Sequence, residues 1–165
     1  MPVVVSDTTP LHYLILVGRE FILEKLYGKV FIPPAVLQEL NHASAPVQIS
    51  KWTANLPAWL IVAVPDLIPV RYNGLDLGER QALALASEIH ADLVLLDDKL
   101  ARRVALRESM KVKGTLGIVA DAAKANLLEF NATVEELKRT SMHLDQGIVD
   151  EVIREYNRVK RQEHG

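Results

Sequence analysis

Short apolar runs separated by stretches of helical periodicity organise this chain. Val3–Ser6, Lys29–Ile32 and Leu93–Leu96 are dominated by consecutive apolar residues rather than alternating ones, the form of a strand buried on both faces of a parallel sheet. Val112 marks a further short strand, and Leu60–Val64 reads as an edge strand. Between them the apolar positions recur at helical spacing. Leu11, Leu14, Ile15 and Gly18 carry the helix after the first strand, with Thr9 as its expected N-cap and Pro10 at its first position. Phe21, Ile22, Leu23 and Leu26 carry a second helix. Pro33-Pro34 closes the second strand before a helix through Ala35, Val36, Leu37 and Leu40. Pro46–Leu56 is expected to be helical, and Pro65–Gly74 to be a loop. Leu77–His90 is the clearest helix, since Ala82, Leu83, Leu85, Ala86 and Ile89 share one face. A helix with Leu100, Val104 and Ala105 follows Asp97-Asp98, another spans Leu116–Asn126, and Val134–Met142 and Ile148–Lys160 close the chain.

Strands alternating with helices predict an α/β fold: a three-layer α/β/α arrangement around a central, mostly parallel sheet. The 165 residues suit one domain over the whole chain, residues 1–165, with the last helices from about residue 133 as a carboxy-terminal extension. No internal repeat points to a solenoid.

Composition sharpens this picture in three places. Aromatic residues are only 5% against 49% hydrophobic overall, so the core is expected to be aliphatic. The absence of cysteine excludes disulfides, thiolate metal sites and cysteine nucleophiles, and any metal must take oxygen or imidazole ligands. A net charge of −2 provides no protein-wide field for a polyanion, so nucleic-acid binding would need a local basic patch. Met1–Ser6 leads directly into a β-like run, without a charged leader or an apolar stretch of membrane length. A cytoplasmic protein without membrane association is expected.

Ligands of an open parallel sheet bind beyond the carboxyl ends of its strands. Asp7 follows the first strand, Asp97 and Asp98 follow the Leu93–Leu96 strand, and Gly114-Thr115 follows Val112. Glu39 and Glu79 lie on helices returning from the same side. Carboxylates gathered there would repel one another and raise each other's pKa unless a cation compensates them. Mg²⁺ or Mn²⁺ is the natural choice for oxygen ligands, and two such ions about 4 Å apart would suit phosphodiester hydrolysis. Each acid also has a local explanation. Asp7 fits a turn before Pro10, Asp76 and Glu79 have capping-box spacing, Asp98 can cap the next helix, and Glu39 can be one charge on a solvated face. The order of the acids along the chain is what a shared site requires.

Val4-Val5-Ser6-Asp7-Thr8-Thr9-Pro10-Leu11 resembles the opening strand and turn of the PIN-domain superfamily. Ile32-Pro33-Pro34-Ala35-Val36-Leu37-Gln38-Glu39-Leu40 resembles its second strand and acid-bearing helix. Leu77-Gly78-Glu79-Arg80-Gln81-Ala82-Leu83-Ala84-Leu85-Ala86 resembles the helix with the third acid, and Leu93-Val94-Leu95-Leu96-Asp97-Asp98 the strand and acid after it. Gly114-Thr115-Leu116-Gly117 resembles the closing turn of VapC-like toxin ribonucleases. The resemblance implies that Asp7, Glu39, Glu79 and Asp97 are catalytic, metal-binding acids, with Asp98 an auxiliary ligand and Thr8 and Thr115 hydroxyl supports. Glu79 departs from the aspartate of many relatives. It further implies a Mg²⁺ or Mn²⁺ endoribonuclease that leaves 5′-phosphate and 3′-hydroxyl ends on single-stranded RNA. A small antitoxin partner and a homodimer follow from the same resemblance. The alternative within the family is a weak or inactive PIN-like protein that binds a partner or RNA.

Arg80, Lys99, Arg102 and Arg103 are the candidate RNA contacts, extended by Arg107, Lys111 and Lys113. His12, His42, His90, His143 and His164 lack ligand spacing and read as surface or packing residues. Trp52 and Trp59 are expected to cover the core, and Arg154–His164 to be a fraying helix end or a partner-binding arm. A haloacid-dehalogenase-type phosphotransferase would need a second aspartate where Thr9 stands. A response-regulator receiver would need a lysine where Gly114-Thr115 stands.

Overall fold

The computed structural model describes residues 1–164, the side chain of His164 excepted. The reading of that histidine as a surface or packing residue lies outside the described residues. Five strands, β1 (Val4–Ser6), β2 (Val30–Ile32), β3 (Leu60–Val62), β4 (Leu93–Leu95) and β5 (Val112–Lys113), form a sheet of order β3-β2-β1-β4-β5. Every pairing is parallel. The order reverses at β1, which pairs with β2 on one side and β4 on the other, so a crevice opens between the carboxyl ends of β1 and β4.

Alternation along each strand divides the core in two. Val4 and Leu95 belong to one apolar cluster, whereas Val5, Val94 and Leu96 belong to the other, as the two-residue period of a strand requires. The first cluster is covered by α1 (Thr8–Leu16), α2 (Phe21–Tyr27), α3 (Pro34–Leu40), α4 (Val47–Thr53) and α7 (Thr115–Lys124). The helices α5 (Leu77–Glu88) and α6 (Lys99–Arg107) cover the second. The expected three layers are therefore present. Two further helices, α8 (Phe130–Lys138) and α9 (Gln146–His164), pack on α7. Phe130, Val134, Leu137, Val149 and Tyr156 join the first cluster, with the Phe130 and Tyr156 rings stacked 4.6 Å apart.

Several expectations needed correction. Thr9 does not cap α1: the helix starts at Thr8, Asp7 occupies the N-cap position, and Pro10 sits in the first turn. Proline is tolerated there because the first N–H groups of a helix have no internal partner. The Pro65–Gly74 loop holds a short 3₁₀ turn at Val70–Tyr72, fastened because Tyr72 is fully buried with the second cluster. The helix expected from Val134 starts at Phe130, because the Glu129 side chain accepts from the Ala132 N–H. It ends at Lys138 rather than Met142. Arg154–His164 continues α9. Trp52 and Trp59 lie against the core, ring centres 5.9 Å apart. No helix among the described residues is long and apolar enough to cross a membrane.

Candidate functional site

Asp7 directly follows β1, its backbone N–H donating to the Leu95 carbonyl at 2.9 Å, so the strand pairing holds it at the crevice. Its residue is 5% exposed, and its Oδ1 is buried without a hydrogen-bond partner. Burial pushes the carboxyl up to about 7. The Thr8 backbone opposes this, and the negative charges of Glu79, Asp76 and Glu39 add to it. An unpaired oxygen in that setting is costly, and a cation would relieve it.

Glu79 lies in the first turn of α5, where Asp76 and Glu79 form a reciprocal capping box. The Asp76 Oδ1 accepts from the Glu79 N–H at 2.8 Å and Glu79 Oε1 accepts from the Asp76 N–H at 3.1 Å. The local explanation of this pair is therefore correct, yet it leaves Glu79 Oε2 without a cap role. Glu79 is also pushed up to about 7, chiefly by burial, with the Asp76 and Asp98 charges contributing. Glu39 projects from α3 at an exposed position, where the Thr8 hydroxyl donates to its Oε2. Thr8, at the start of α1, is thereby tied to Glu39 on α3.

Asp97 is arranged differently. Its Oδ1 accepts from the Thr115 N–H at 2.9 Å and its Oδ2 from the Thr115 hydroxyl at 2.6 Å. These bonds tie the end of β4 to the start of α7. Burial raises its pKa, while the two Thr115 bonds and the Arg102 charge lower it, and no other carboxylate contributes. Asp98 caps α6 by accepting from the Ala101 N–H at 2.9 Å. Asp7 therefore feels the charges of Glu79, Asp76 and Glu39, Glu79 feels those of Asp76 and Asp98, and Asp97 stands beside Arg102. Asp76 is the member of the acidic group that the sequence reading treated only as a cap. Its place in the charged group had no signal beyond its position next to Glu79.

Among the described residues, no three carboxylate or imidazole side chains stand as a ready-made metal cage. The donor set nevertheless suits a hard divalent cation. Asp7 Oδ1 has no partner, Glu79 has a free oxygen, Glu39 is exposed and adjustable, and all donors are oxygen. The basic candidates divide by place. Arg102 lies close to the crevice, its Nη1 3.3 Å from where a Cβ at Gly114 would stand. Arg80 follows Glu79 on α5 with its Nε buried and unpartnered, and Lys99 and Arg103 are exposed on α6.

An open parallel α/β/α sheet with paired acids at its switch point defines a class built for binding at that crevice. The PIN-domain family profile matches residues 3–158, and the chain belongs to that family. PIN domains are generally metal-dependent nucleases acting on phosphodiesters. No curated protein and no solved structure matches the chain.

Proposed function

We propose that this PIN domain is a Mg²⁺- or Mn²⁺-dependent endoribonuclease for single-stranded RNA, acting as the toxin of a toxin–antitoxin pair. The observation that carries the reading is the buried, unpartnered Asp7 Oδ1 among the charges of Glu79, Asp76 and Glu39. Asp7, Glu39 and Glu79 would hold the ion, with Asp97 and Asp98 bordering it. A bound divalent ion supplies Lewis acidity toward the phosphodiester and makes water a stronger nucleophile. The chain's own residues do the rest. Thr8 orients Glu39 through its hydroxyl, and Thr115 fixes Asp97. Arg102, close to the crevice, and Arg80, beside Glu79 in the chain, would neutralise substrate phosphates, with Lys99 and Arg103 extending the path for single-stranded RNA. The toxin role, with a small antitoxin and a homodimer, is supported by the VapC-like turn at Gly114–Gly117.

The test pairs Mn²⁺ calorimetry with cleavage of end-labelled single-stranded RNA, on the wild type and Asp7→Asn. The expected outcome is saturable Mn²⁺ binding and metal-dependent cutting by the wild type, both lost in the variant. Wild-type protein that binds no Mn²⁺ would remove the nuclease reading and leave a partner- or RNA-binding module.

A further inference from the structure

Glu39 presents a problem of placement. It stands on an exposed turn of a seven-residue helix, where a glutamate side chain would ordinarily sample several rotamers. Helix α3 also starts without a side-chain cap. Its N-cap position is Pro33, which offers no side-chain hydrogen bond, and Pro34 occupies the first helical position.

Two residues of α5 address both defects. Gln81 Oε1 accepts the Ala35 backbone N–H at 2.9 Å, satisfying a first-turn donor of α3 from the neighbouring helix. Gly78 lets the Glu39 carboxylate lie directly against the first turn of α5. A Cβ at that position would stand 2.5 Å from Glu39 Oε1 and 2.9 Å from both Cδ and Oε2. Gly78 is buried and its φ is not positive, so no left-handed backbone explains a glycine there. What the glycine permits is the carboxylate. Together with the Thr8 hydroxyl, α5 holds Glu39 from its helix axis to its tip.

We infer that Gly78 and Gln81 are positioning residues: they set where the Glu39 carboxylate stands relative to Asp7 and Glu79. The cation-binding consequence rests on the function proposed above; the placement itself does not. The three atoms nearest a methyl group at residue 78 all belong to the far end of the flexible Glu39 side chain, which can swing away. The fold should therefore survive Gly78→Ala, and alanine is the better helix former, while the carboxylate should be displaced.

The placement is read first without metal, from the side-chain carboxyl ¹³C resonance of Glu39, assigned by its loss in Glu39→Gln. Gly78→Ala and Gln81→Leu are expected to shift that resonance, while the melting temperature of Gly78→Ala stays at or above the wild-type value. Gln81→Glu, which keeps the accepting oxygen, is expected to return the resonance toward its wild-type position. An unmoved Glu39 resonance in both Gly78→Ala and Gln81→Leu would overturn the inference, whatever the protein binds. Mn²⁺ calorimetry then reads the consequence. Gly78→Ala is expected to weaken binding about tenfold in the wild type, in the range of outer-sphere substitutions at metal sites, and to have no further effect in the Glu39→Gln background. Equal weakening in both backgrounds would show that Gly78 does not act through Glu39. Absent Mn²⁺ binding by the wild type would count against the proposed function, with the carboxyl resonance still deciding the placement.

Discussion

The two sides of the crevice carry the same residue type at the same kind of position, yet treat it in opposite ways. Asp7 follows β1 and Asp97 follows β4, neighbouring strands of the sheet. Both carboxyls are raised by burial. Asp97 has both oxygens bonded by Thr115 and a guanidinium charge nearby. Asp7 has an oxygen with no partner and only like charges around it. Asp97 therefore works as a fastening between β4 and α7, whereas Asp7 stores an electrostatic cost that a divalent ion can remove. An acid at a strand end is a clue to a site only when its partners leave it something to bind with.

The largest test of this contrast is Asp7→Asn. Mn²⁺ affinity and RNA cleavage should fall on the order of a hundredfold or more, as for loss of a direct ligand. The metal-free variant should melt no lower than the wild type at pH 8. A variant that melts lower and still binds Mn²⁺ would reverse the assignment of the two sides.

Asp97→Ala should do the opposite. Removing an acceptor of two bonds, one from the first turn of α7, should cost about 2–3 kcal/mol in urea denaturation without metal. Because Thr115 is fully buried, its hydroxyl and N–H would lose their partner in a place water reaches poorly. Unchanged stability would show that Asp97 is not the fastening it resembles.

The pH dependence separates the sides further. Asp7 has a folded pKa of about 7 against a reference of 3.8, so the folded state keeps its proton over a range where the unfolded chain has lost it. This contribution is absent below about pH 4, disfavours folding increasingly up to about pH 7, and is constant above that. Glu79, raised from 4.5 to about 7, acts in the same direction. Through Asp7 alone, metal-free protein should lose about 2.5 kcal/mol of stability between pH 5 and pH 8, and Glu79 adds to that loss, with a shallower slope in Asp7→Asn and recovery on adding Mn²⁺. Stability that rises over this interval would exclude the raised Asp7 pKa.

The smallest effect is expected at the capping box. Asp76→Ala should cost about 1 kcal/mol of stability through loss of the α5 N-cap. It should also lower the titration midpoint of Asp7, because one neighbouring negative charge is gone. An unchanged Asp7 midpoint would show that Asp76 belongs to the helix start alone.

Much of the frame was legible because it depends on neighbours in the chain. The apolar runs around Val4, Phe31 and Val94 announce buried parallel strands, and the spacing of Asp76 and Glu79 announces the capping box that forms. Thr9 misled because both it and Asp7 are good N-cap types, and the choice between them was made by the Asp7 N–H pairing with Leu95 on another strand. Tyr72 was hidden in a proline-bounded segment, since its burial depends on where α5 later packs. In the site, the positions of Asp7, Glu39, Glu79 and Asp97 could be picked out in order. Nothing in that order distinguished the acid that is bonded from the acid that is not.

The parallel α/β frame, the acids at the strand ends and the local caps could be read from the chain alone, because backbone preference, apolar period and capping act over a few residues. It took the folded arrangement to reveal that Thr115 satisfies Asp97, that Asp7 Oδ1 has no partner, and that Glu39 rests on Gly78. Those relations join groups brought together by crossovers between strands. Their energies depend on burial and on distances that no local stretch of chain contains.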